Sequence, residues 1–258
     1  MGQDISWVDG EDPQMVDAFA RARETFRFFW REMTWEYRRI VPGVEMAAVK
    51  LTFAEEYTPG LLGGLFGKKK EKQVRVEHMW ISDVRFDGTT VSGTLLNDPH
   101  DLRSVRAGDA VSAGMDRLAD WMYVREGIVF GGFTVDVIRQ GMSDGERAQH
   151  DDAWGLDFGP PGEVALTPFD DDEAEHPMSA NMAPTLAEEI DGNPSLLAPG
   201  EDGSTMLHDM ALGGSAAIIE VLLAKGADPA ARRADGKTPA DLAEAMGWTA
   251  LAQRLRVH

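Results

Sequence analysis

The sequence predicts an α+β N-terminal domain, a long helix packed on a mostly antiparallel sheet, followed by an all-α repeat domain. Three observations lead there. An apolar stripe of helical period opens the chain, a series of short strand-like runs with brief connections follows, and the last quarter repeats itself at a fixed offset. The expected boundaries are 13–158 for the first domain, 159–184 for a linker and 185–258 for the repeats.

In the opening helix Met15, Phe19, Ala22, Phe26, Phe29, Met33, Tyr37 and Ile40 recur every three or four residues, with Arg and Glu between them. Pro13 suits a first helical turn and Pro42-Gly43 a stop. Strand signals follow at 44–57, 73–86, 89–97, 109–113, 120–126 and 128–139, and Asp87-Gly88 between two of them is a strong hairpin signal. Short connections favour an antiparallel meander over parallel crossovers. Between the first two strands lies PGLLGGLFGKKKEK, an apolar tip on a basic base. Leu62 stands where a phosphate-binding loop requires glycine, and Lys69 where it requires Ser or Thr, so nucleotide binding there is rejected. Leu62, Leu65, Phe66 and Lys68 instead make this loop a candidate protein-contact site, because exposed apolar clusters call for a cover.

Residues 160–184 are rich in proline and acid, which marks a linker; the run DDDEAEH lacks the spacing of a calcium loop. Beyond it, DGSTMLHDMALGG from Asp202 aligns with DGKTPADLAEAMG from Asp235 at an offset of 33 residues, with IIEVLLAKGADPAA between them. This pattern resembles the ankyrin repeat: a DGxT turn, an inner helix, a glycine stop, an outer helix and a GAD tip. TLAEEIDGNPSLLAPGEDG (185–203) looks like a worn preceding half-repeat. His208 stands at the TPLH position of the pattern, where the resemblance implies a bond to turn backbone. Ala240-Asp241 replaces Leu-His in the next repeat, so its turn network must differ. The tip residues Arg232, Arg233, Asp235 and Lys237 form the candidate binding patch of this half. Leu186, Ile190, Leu196 and Leu197 leave the array an open apolar end.

Composition excludes several classes of function. Acids outnumber bases 44 to 25 and the net charge is −19, which disfavours a nucleic-acid partner, since binding a phosphate backbone relies on Lys and Arg. There is no cysteine, so thiolate metal sites and disulfides are absent. No run reaches the ~20 apolar residues of a membrane span, and no secretory signal is visible, so no membrane partner and a cytoplasmic location are expected.

Chemistry, if any, would centre on His78. In strand 74–86 the even positions Val74, Val76, His78, Trp80, Ser82, Val84 and Phe86 place it on the apolar face, where histidine is ordinarily a packed, hydrogen-bonded residue. No second histidine is spaced to share a metal, and no metal or cofactor is expected. The blocks EHMWISDVRFDGTTVSGTLLNDP, AGDAVSA and ADWMYVREGIVFGGFTVDVIR resemble, over about 22–158, the bacterial domain of unknown function numbered 2314. That resemblance implies no activity. The expected function is therefore a cytoplasmic interaction or adaptor protein, an immunity-like role included, that binds a protein partner through the repeat tips and the 60–70 loop. The alternative is a hydrolase-like enzyme built on His78, His100, Asp101, Asp120 and Tyr123.

Overall fold

The computed structural model describes residues 12–58, 72–169 and 175–258. They fall into two compact units, one comprising residues up to 23 and 45–164, the other 24–44 and 165–258. The opening helix α1 (Pro13–Glu36) is divided between the two, so its second half belongs with the repeats rather than with the sheet. From Phe28 to Trp35 every residue of it is buried. The helix stops four residues short of the expected Ile40, which is fully exposed. The reason is local. Arg38 turns back to donate to the Thr34 carbonyl at 2.6 Å, and the Glu36 carboxylate accepts the Gly43 N–H at 2.9 Å.

The first unit is a six-stranded sheet. Strands β1 (Met46–Tyr57), β2 (Gln73–Phe86), β3 (Thr90–Leu95) and β4 (Ala110–Gly114) form a meander, and β5 (Leu118–Arg125) returns to the free side of β1, with β6 (Ile128–Gly131) beyond it. The order is β4-β3-β2-β1-β5-β6, and every strand pair is antiparallel. At the predicted hairpin the Asp87 carboxylate accepts the N–H groups of Thr89 and Thr90 at 2.8 Å, which lets Gly88 turn the chain at positive φ.

Two expectations are corrected here. The apolar face of β2 does not run along its even positions: Val74 and Val76 are 58% and 52% exposed, while Met79 and Ile81 are buried. A register shift between Ser82 and Arg85, with Asp83 at φ 51°, reverses the alternation, so only beyond it do even residues, Val84 and Phe86, enter the core. The strand expected at 128–139 ends at Gly131, and Phe133–Gln140 is a helix, α2. Helix α3 (Asp144–Trp154) follows, started by a Ser143/Glu146 capping box. Arg139, 2% exposed, grips Asp151 of α3 with two bonds of 2.8 and 3.0 Å and the Gly159 carbonyl at 2.9 Å. That clamp fixes the return of the chain along β6.

The second unit carries the repeats. Helix α4 (Pro177–Gly192) begins inside the stretch read as linker, and α5 (Met206–Leu212), α6 (Ala216–Ala224), α7 (Pro239–Ala245) and α8 (Thr249–Arg256) alternate as inner and outer repeat helices. Helix α4 packs on α6, α5 on α6 and α7, and α7 on α8. Leu186 and Ile190, two of the residues expected at an open end, are buried. Helix α1 contacts the repeats elsewhere. Trp35 stacks on the buried His176 at 5.9 Å, His176 Nε2 lies 3.3 Å from Glu32, and Arg27 donates to the Gly247 carbonyl at 3.1 Å.

Candidate functional site

On the even face of β2 a polar cluster adjoins Trp80, which itself packs against Met122, Val124 and Val129. Lys50 stands opposite both Trp80 and Asp120 in the two adjoining registers, and Thr52 opposite His78. Lys50 Nζ lies 4.6 Å from the Trp80 ring centre and donates to Thr134 Oγ1 at 2.6 Å. Thr134 in turn donates to Asp120 Oδ2 at 2.6 Å. Asp120, wholly buried, also accepts the N–H groups of Trp121, Phe133 and Thr134 at 2.8–3.0 Å. Burial pushes the Asp120 carboxyl up against the opposing pull of Lys50, and it lowers the Lys50 ammonium.

This arrangement has a structural cause. Gly132, the cap of α2, has no side chain with which to meet the first amides of the helix. Asp120 reaches across from β5 and does so in its place. The local sequence requires it to come from elsewhere. A Cβ on Gly131 would lie 2.2 Å from the Trp121 carbonyl oxygen, and Gly131 and Gly132 both adopt positive φ. With its oxygens occupied by four donors, Asp120 is placed to hold a helix rather than to abstract a proton.

His78 lies beside this cluster. Its Nδ1 is 2.9 Å from Thr52 Oγ1 and its ring 4.8 Å from that of Phe19. Burial, with the charge of Lys50 second, keeps His78 below its ordinary pKa. The other residues considered for an enzyme are not gathered there. His100 and Asp101 project from an exposed loop, 3.3 Å apart, whose backbone is held by the Glu77 carboxylate accepting from residues 100, 101 and 102. Tyr123 is buried in an aromatic stack with Phe130 at 4.9 Å and Trp121 at 6.3 Å. Among the described residues no three His, Asp or Glu converge as metal ligands do. Lys50 and Thr134 were missed by the sequence reading, since a lone lysine in one strand and a threonine after a glycine pair carry no local signal.

The repeat tips present the other candidate surface. Arg233 is drawn into the tip itself, bonding Asp235 at 2.6 Å, and these bonds hold the Asp235 carboxyl down to about 2. Arg232 is exposed and donates to the Gly236 carbonyl at 2.7 Å; Lys237 is partly exposed. His208 Nδ1 accepts the Thr205 N–H at 3.1 Å, so its Nε2 carries the proton that meets the Lys237 carbonyl at 3.2 Å. One histidine thereby ties successive turns. In the next repeat Asp241 takes the corresponding role, accepting the Thr238 N–H at 2.9 Å. Leu62, Leu65, Phe66 and Lys68 lie outside the described residues.

Comparison with known proteins finds two families along the chain. Residues 12–158 match the family model described as uncharacterized protein conserved in bacteria (DUF2314), and residues 189–243 that of ankyrin repeats (many copies). A "putative ankyrin repeat protein" of Neisseria meningitidis serogroup B is 37% identical over 257 residues, 97% of this chain and 96% of that protein. The uncharacterized protein YegJ of Escherichia coli K12 is 34% identical over 62 residues, 24% of this chain and 40% of its own. No solved structure matches. Ankyrin repeats indicate protein–protein interaction. Among the described residues, no helix is long and apolar enough to cross a membrane.

Proposed function

The chain belongs to the DUF2314 family of bacterial proteins and carries ankyrin repeats, and from that premise we propose that it is an adaptor which binds a protein partner through its repeat tips. One observation carries the reading. The second tip is preorganised by internal bonds, Arg233 to Asp235 and His208 to Lys237, while Arg232 stays exposed at its rim. A rigid tip loses little conformational freedom on binding. The loop with Leu62, Leu65, Phe66 and Lys68 is the second contact in this reading, on the strength of its apolar composition. A cytoplasmic, immunity-like role is consistent with the acidity of the chain, and nucleic acid is disfavoured by the same −19 charge.

The test is quantitative affinity purification with the full chain and with an Arg232→Glu, Lys237→Glu variant that melts at the wild-type temperature. Proteins retained by the first and lost by the second support the proposal. Identical retention by both rejects the tips as the contact.

A further inference from the structure

The turn that follows α1 has its polarity reversed. Its charged residues are turned back onto the protein. Arg38 bonds the Thr34 carbonyl and pairs with Asp209 of α5 at 3.3 Å. Arg39 lies 3.5 Å from the Glu36 carboxylate, which also accepts the Gly43 N–H. The apolar residues are the ones held out: Ile40 is 100% exposed, Val41 75% and Tyr37 44%. Among the described residues no other large apolar side chain reaches the exposure of Ile40. The turn is not free to tuck them in. Its backbone bonds Tyr37 to Met33, Arg38 to Trp35 and Arg39 to Glu36 at 3.0–3.1 Å, and a Cβ on Gly43 would lie 2.6 Å from Arg39 Nη1.

This turn stands beside the repeat tips. Asp209, the partner of Arg38, follows His208, whose ring meets the Lys237 carbonyl of the second tip at 3.2 Å. Burial raises the Asp209 carboxyl against the charges of Arg38, His208 and Arg233, so the end of α1 and the tip share one electrostatic neighbourhood. Arg232 is exposed there and Lys237 partly so. Apolar side chains with cations at their margin have the make-up of an interface centre, where water is excluded and where Tyr and Arg often carry the binding energy. A second copy of this chain is disfavoured as the cover, because two bodies of charge −19 repel each other. The same charge disfavours an anionic bilayer.

We propose that Ile40 and Val41, with Tyr37 beside them, form an apolar anchor that enters a pocket of the protein partner bound at the tips, and that carboxylates on the rim of that pocket face Arg38, Arg232 and Lys237. The inference rests on the adaptor reading and adds to it the partner's chemistry, an apolar pocket bordered by acids. Because the turn is held by internal bonds, the anchor loses little freedom on binding.

The experiment places a photoreactive benzoylphenylalanine at position 40 and, separately, at position 237 of the full chain in its native host. Cross-linked polypeptides are identified by mass spectrometry. The affinity of the purified polypeptide is then measured by calorimetry for the wild type, for an Ile40→Ser, Val41→Ser variant and for Ile40→Leu. One polypeptide cross-linked from both positions is expected, bound about tenfold more weakly by the double variant, ~1.4 kcal/mol. Ile40→Leu keeps the apolar bulk and is expected to bind as the wild type does, which separates a lost anchor from a lost fold. Cross-linking from position 237 but not from 40, or unchanged affinity in the double variant, overturns the anchor and leaves the tip reading standing. Cross-linking from position 40 alone overturns the tip reading and with it the shared surface. Cross-linking from neither position overturns both, and cross-linking of position 40 to a second copy of the chain overturns the partner named here.

Discussion

Asp120 is the residue on which the first unit turns. It serves Trp121, Phe133 and both donors of Thr134 from a site with no exposed surface. Removing it leaves buried amides unmet and the Lys50 ammonium without its partner carboxylate. Asp120→Ala should cost about 3 kcal/mol or more in urea unfolding; a loss below ~1 kcal/mol would mean that water replaces the carboxylate. His78 makes a separate prediction. Its folded pKa is held below the ordinary 6.5, so in acid the unfolded chain takes up a proton that the folded chain resists. Stability from this source is present above 6.5 and is lost as pH falls below it. His208 is lowered too, again chiefly by burial, and adds a slope of the same sign. His78→Asn should therefore flatten, not abolish, the decline of melting temperature with acid; a wild-type slope in the variant would exclude His78 as a contributor.

At the scale of elements, glycines separate positions where the backbone decides from positions where nothing does. Gly131→Ala would set a methyl group 2.2 Å from the Trp121 carbonyl oxygen, at a positive φ, and so displace the β6–α2 turn. Gly145 lies within α3 and a Cβ there meets nothing within 4 Å. Gly131→Ala is thus expected to destabilise by roughly 3 kcal/mol or to prevent folding, and Gly145→Ala to stabilise by about 0.5–1 kcal/mol. Equal effects in calorimetry would mean that the turn adapts. Gly93 illustrates the same rule in the sheet: a Cβ on it would lie 2.3 Å from the Ser82 carbonyl, so the β2 bulge requires a bare backbone opposite. Several of the motif residues by which the first domain is recognised, Gly93, Asp120, Gly131 and Thr134 among them, are explained by such backbone demands without recourse to catalysis.

For the whole molecule, the division of α1 changes what a repeat fragment is. Residues 24–44 belong to the repeat unit, where Trp35, Glu32 and Arg27 contact His176 and Gly247. A fragment of residues 175–258 lacks that helix and exposes the apolar and aromatic surface it covers. It should melt at lower temperature and less cooperatively than the same repeats in the full chain, consistent with the rule that short arrays need added cover. A fragment that melts cooperatively at the temperature of the intact protein would show that the helix contributes nothing.

The amino-acid sequence by itself determined whatever is local or periodic. The 33-residue repeat, the Asp87-Gly88 hairpin and the amphipathic start of α1 are set by neighbours in the chain, and pattern alone reveals them. It misread the even positions of β2 as one apolar face because one left-handed residue, Asp83, inverts the alternation of a strand, and no two-residue periodicity registers an insertion of that kind. What only the tertiary structure decided are the meetings of residues far apart in sequence. Lys50 reaches Thr134, Asp120 caps a helix beginning thirteen residues later, and Arg27 joins Arg254 around one cleft. Each depends on which surfaces are buried together, and that choice is made by the summed packing of the chain rather than by the residues that end up in contact.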